Sequence, residues 1–114
     1  MRPIVLRIPG WTRQLLATLP RWKETPLAAR TRIARHAHRF VAVYFAFGAK
    51  HLETEAGLRS LPLAAMVIVP AGIVHGWHGP AADATATIGH FHPGHPVHII
   101  EPVLVQTFDI GGSV

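Results

Sequence analysis

The chain has 114 residues, 49% of them hydrophobic, no cysteine and a formal charge of +5. This is enough apolar sequence for one core and too little length for two, so disorder and a multidomain architecture are both excluded. Without cysteine there are no disulfides, no thiol catalysis and no thiolate-held zinc. The basic residues crowd the first third (Arg2, Arg7, Arg13, Arg21, Lys23, Arg30, Arg32, Arg35, Arg39). No helix-turn-helix, zinc-finger or RNP pattern accompanies them, so they are read as a solvated basic surface and not as a nucleic-acid site.

Residues 1–10 hold no sustained apolar core and no small-residue cleavage site, and no run nears the roughly 18 apolar residues of a membrane span. A cytoplasmic protein with no membrane partner is expected. Residues 2–8 form a short strand stopped by Pro9-Gly10. Trp11, Leu15, Leu16 and Leu19 have helical spacing up to Pro20; the alternative is an irregular lead-in whose Trp11 and Trp22 cap a barrel end. Residues 23–26 read as a polar turn, and 27–35 fits helix and strand equally. Residues 36–47 are rich in aromatic and β-branched side chains and read as one central strand ending at Gly48. Period two puts His36, His38, Phe40, Ala42 and Tyr44 on one face.

A hairpin is expected around Glu55-Ala56-Gly57. An apolar strand over 61–69 then runs into a bend set by Pro70 and Gly72, because proline ends a ladder and glycine accepts positive φ. His75 follows the bend, with Trp77 two residues on and facing the same way. Residues 76–84 read as a Gly/Pro/Ala loop. Residues 85–92 read as a strand with Ile88, His90 and His92 on one face, and 97–108 as one or two short strands. The sum is an all-β barrel or sandwich with little helix. The single domain spans 1–114, with residues 1–26 leading in and 27–110 making the barrel.

Taken in order, His36-x-His38, Gly48 and Pro70-x-Gly72-x-x-His75 resemble the two motifs of the cupin superfamily. The likeness within it is to the N-terminal effector-binding domain of AraC-type transcription regulators, through residues 35–48 and 61–78. The resemblance implies a double-stranded β-helix (jelly-roll) barrel that binds a small polar molecule such as a sugar. It covers the sensor half only, so transcription regulation would run through a partner or a homodimer, without direct nucleic-acid contact. Metal-binding cupins carry an acid four or five positions after the second histidine, where this chain has Ala42 and Val43.

Two chemistries compete for these residues. His36, His38 and His75 offer imidazoles that can converge on one Fe, Mn, Ni or Zn ion, with His92 or His90 in place of the missing carboxylate. Alternatively His36, His38, Tyr44, His75, Trp77 and His90 are the polar handles of an apolar pocket walled by Phe40, Ile68 and Ile88. The dense histidines from His90 to His98 read as rim residues. No Ser/His/Asp set, phosphate loop or carboxylate pair is present, so no catalytic residue is assigned. An enzyme of dioxygenase, isomerase or lyase class would have to work through the metal.

Overall fold

The structure, a computed structural model, describes residues 2–20, 22–81 and 84–91 and the backbone of 105–107. Its elements are β1 (Ile4–Arg7), α1 (Thr12–Ala17), β2 (Thr25–Ala28), β3 (Thr31–His36), β4 (Ala42–Phe47), β5 (His51–Thr54), β6 (Gly57–Ser60), β7 (Ala64–Val69), β8 (His75–His78), β9 (Thr85–Phe91) and β10 (Val105–Thr107). They build two five-stranded antiparallel sheets, ordered β1-β7-β4-β9-β2 and β10-β3-β8-β5-β6. From β3 onward the chain passes from one sheet to the other at every connection but the β5–β6 hairpin. Among the described residues no helix is long and apolar enough to cross a membrane.

The alternation of side chains decides what each strand buries. In β4, Ala42, Tyr44 and Ala46 point inward while Val43, Phe45 and Phe47 are only half-buried on the other face. In β7, Val67 and Val69 face the core and Met66 and Ile68 face away. Leu27, Ile33, Leu52, Trp77 and Ile88 complete the core between the sheets. The outer face of the first sheet is also apolar: Ile4 pairs with Ile68 and Leu6 with Met66 across β1 and β7. Trp22 covers part of it, its ring edge-on to Phe45 at 5.7 Å.

Several segments differ from their sequence readings. Residues 23–26 are not simply a turn, because Thr25 and Pro26 open β2; Pro26 is tolerated there because β2 is an edge strand. The ambiguous stretch 27–35 is extended, split between β2 and β3 by a tight turn with Arg30 at φ 60. Residues 36–47 are two strands, since the chain must leave one sheet at His36 to enter the other at Ala42. Residues 75–78, of which 76–78 read as loop by sequence, form β8 at the centre of the second sheet. Of the stripe expected on α1, Leu16 alone is buried; Trp11 is 62% exposed and so does not cap the core. His92 and most of 97–108 lie outside the described residues.

Candidate metal centre

Three segments deliver the histidines. His36 ends β3 and His75 begins β8, and the two are register partners across the ladder, just past an irregularity between Ile33 and His36. His38 sits in the crossing from β3 to β4, turned inward between exposed Ala37 and Arg39. The bend after β7 is tied to that crossing, because the Gly72 N–H donates to the His38 carbonyl at 2.8 Å. Gly72 has φ +78, a left-handed conformation that costs glycine nothing and other residues about 1–2 kcal/mol. Gly76, next to His75, lies so close to β3 that a Cβ there would stand 2.9 Å from the Ile33 carbonyl oxygen.

The rings are fixed from behind. His36 Nδ1 lies 2.7 Å from the Ala34 carbonyl oxygen, and His75 Nδ1 lies 2.9 Å from that of Ile73. A bare nitrogen would repel a carbonyl at those distances, so each Nδ1 carries a proton and donates it. With Nδ1 so engaged, a neutral imidazole presents an unprotonated Nε2 on its other side, the form that binds metal.

Those nitrogens point at one place. The candidate ligand atoms of His36, His38 and His75 all lie within 4.8 Å of one another, the one such group among the described residues. Between them sits the phenol oxygen of Tyr44. Its Oη is 2.6 Å from His75 Nε2, 2.8 Å from His38 Nε2 and 3.2 Å from His36 Nε2. Tyr44 is 1% exposed, His75 0% and His38 5%, while His36 is half-buried, so the cluster lies at the edge of the core with His36 on its outer side. Burial pushes His75 down to about 4, against the opposing bond to the Ile73 carbonyl and with help from His36 and His38; it is neutral near pH 7.

Counting protons exposes a deficit. With Nδ1–H spoken for on His36 and His75, two Nε2 lone pairs face Tyr44 Oη, which has one proton to give. The shorter contact, to His75, takes it. The His36 lone pair is left opposite an oxygen at 3.2 Å, an arrangement that a cation in the cluster relieves. The donors also fit an ion in number and type. Nitrogens about 2.1 Å from one metal in a facial or tetrahedral set stand roughly 3.0–3.4 Å apart, so the rings, whose ligand atoms lie within 4.8 Å of one another, must draw in by up to about 1.4 Å to share an ion.

No protein-family model, curated protein or solved structure matches this chain. The reading therefore rests on these side chains.

Of the remaining predicted site residues, His90 stands beside the cluster. It pairs with Tyr44 across β4 and β9, is 1% exposed, and its ring centroid is 4.8 Å from that of Tyr44 and 5.1 Å from that of His38. Trp77 is fully buried 4.6 Å from the Tyr44 ring, and its indole N–H has no acceptor among the described residues. Ile88 faces the interior, but Phe40 is 41% exposed and Ile68 points outward, so neither walls a cavity there. Where the sequence comparison looked for an acid, Ala42 is inward and Val43 outward; the next inward position is Tyr44.

Sequence reasoning missed a second cluster, on the opposite face of the β3-β8-β5 ladder. The Glu53 carboxylate accepts from His78 Nε2 at 2.7 Å and from Arg35, with Arg32 at 3.5 Å. The His78 bond, opposed by desolvation and helped by both arginines, holds this carboxyl below its ordinary range. Strand alternation was the available signal, since Leu52 faces the core and Glu53 must not. A cleft of about 500 Å³ opens nearby, lined by Arg2, Thr54, Glu55, Arg59, Ile73 and Val74. The bend that delivers His75 forms part of its wall.

Proposed function

We propose that the chain is a small-molecule-binding domain of cupin type, akin to the sensor half of an AraC-type regulator, in which His36, His38 and His75 hold a transition-metal ion. The observation that carries this reading is the convergence of three Nε2 atoms, two of them preset as lone-pair donors by backbone carbonyls, on one buried point. When bound, Fe(II), Mn(II), Ni(II) or Zn(II) supplies Lewis acidity, to which an oxygen donor of a small molecule can attach. The chain's own residues do the rest. The β3–β8 ladder orients His36 and His75, Trp77 offers an N–H to a ligand oxygen, and burial excludes competing water. The cleft beside the bend, within the usual size range of ligand sites, shares its Gly72–Val74 wall with the segment that delivers His75. The passage of the chain back and forth between two antiparallel sheets supports the jelly-roll assignment. A regulatory role is exerted through a partner or a second copy.

The test is a melting-temperature screen of untagged, chelator-treated protein against divalent ions, then against sugars and small organic acids with and without the best ion. An ion at 100 times its Kd stabilises by about 2.7 kcal/mol, a rise of several degrees for a domain of this size. A ligand shift that requires the ion supports the reading, and release of the ligand chemically altered makes the domain a metal-dependent enzyme instead. No shift with any ion refutes it.

A further inference from the structure

We infer that Tyr44 is itself a metal ligand: its phenol oxygen, deprotonated, is the fourth donor of the site and takes the place of the acid absent at Ala42 and Val43. The inference rests on the three-histidine reading above and extends it to the identity of the ion.

Three observations carry it. Tyr44 Oη is 2.6, 2.8 and 3.2 Å from the three Nε2 atoms. Donors on one ion at about 2.0–2.1 Å stand roughly 2.8–3.4 Å from one another, so the oxygen keeps that spacing from His38 and His36 and stands about 0.2 Å inside it from His75. It comes from the facing sheet: His36 and His75 stand on β3 and β8, Tyr44 on β4. A ligand from across the core adds a fourth donor from the sheet that faces the histidine strands. Finally, Tyr44 has no room to withdraw. Its ring is packed between Trp77 at 4.6 Å and His90 at 4.8 Å and is 1% exposed. An ion seated on the histidines must therefore meet the phenol oxygen.

The chemistry balances without a redox partner. As the metal–oxygen bond forms the phenol O–H bond breaks, and the proton leaves to solvent. The product is a neutral-nitrogen, anionic-oxygen donor set, N₃O⁻. An anionic oxygen favours a hard, highly charged ion, and tyrosinate is an established protein ligand of iron. The site is accordingly directed towards Fe(III) over the softer divalent ions.

Tyr44 is the only tyrosine in the chain, so any tyrosinate signal belongs to it. Untagged, chelator-treated protein is titrated with Fe(III) nitrilotriacetate and, separately, with Zn(II), while visible absorption, resonance Raman scattering and bound metal are recorded. The expected result is one equivalent of Fe(III) with a visible charge-transfer band whose Raman spectrum carries phenolate modes. In Tyr44→Phe the band disappears, Zn(II) still binds, and Fe(III) affinity falls by about tenfold or more. Metal bound at one equivalent without phenolate modes, or Tyr44→Phe binding Fe(III) as well as or better than the parent chain, overturns the inference and leaves the three-histidine site standing. Folded parent protein that binds neither ion overturns both. Should Tyr44→Phe fail to fold, the Raman spectrum of the parent chain decides alone.

Discussion

Lowering the pH of the metal-free protein should unfold it through His75. The ring is fully buried and burial pushes it from 6.5 to about 4. In the unfolded chain it takes up a proton near pH 6.5, whereas in the folded chain it resists until about pH 4. Within that window the unfolded state binds more protons, so stability rises with pH and is lost as pH falls. The displacement corresponds to about 3 kcal/mol, a large share of the roughly 5–15 kcal/mol that holds a domain together. Urea unfolding followed by tryptophan fluorescence, on chelator-treated protein from pH 7 to 4.5, measures it directly. The Glu53 carboxyl, held below its ordinary range when folded, adds to the loss only at the acid end of this scan, where the unfolded chain's carboxyl begins to take up a proton. His75→Gln is expected to be less stable at pH 7 and to lose markedly less on acidification. If the variant loses stability as steeply as the parent chain between pH 6.5 and 4.5, the dependence comes from other histidines and the reasoning about His75 fails.

Other substitutions probe the frame around the site. Gly76→Ala puts a Cβ 2.9 Å from the Ile33 carbonyl oxygen and 3.3 Å from the Arg35 nitrogen. Pushing β3 away should cost about 1–3 kcal/mol in urea unfolding and weaken metal binding, because His36 moves with that strand. Glu53→Gln strips the shared negative partner from Arg32, Arg35 and His78. A loss of about 1–3 kcal/mol is expected, with little change at the histidine cluster on the opposite face; unchanged stability would mean that solvent already screens the group. Leu63→Ser removes a side chain that is 81% exposed and should leave stability within about 0.5 kcal/mol, as thermal melting can check.

Strand content was legible wherever side chains alternate, as in 42–47 and 64–69, because the period of two records directly which face is buried. The same logic put His36, His38 and Tyr44 on one side, and their side chains do converge. It missed the route by which they do so. Ala37 to Val41 carries no alternation and no proline or glycine to mark the crossing between sheets, so two strands read as one. Segment 75–78 was obscured for the opposite reason. Gly76 resembles a loop residue, yet it is required in mid-strand because β3 passes too close for any side chain. The acid sought at Ala42 or Val43 misled by position. Motif spacing pointed to those two residues, while the pleat makes Tyr44 the inward residue that reaches the histidines.

The way the site is assembled links binding to the whole fold. His36 and His75 belong to one sheet, Tyr44 and the adjacent His90 to the other, and His38 to the strand crossing that joins them. Without an ion, the Tyr44 phenol hydrogen-bonded to His75 at 2.6 Å is one tie between the two sheets at this point. An ion gripped from both sheets replaces that tie with metal–ligand bonds and links the two layers at the point where Gly72 already hydrogen-bonds to His38. Occupancy should therefore slow amide exchange in β3, β4 and β8 together, not merely in the bend beside His75, because separating the sheets would then require releasing the ion. Protection confined to residues 70–75 would mean that the ion, if bound, sits on the bend alone and the two sheets are not coupled through it.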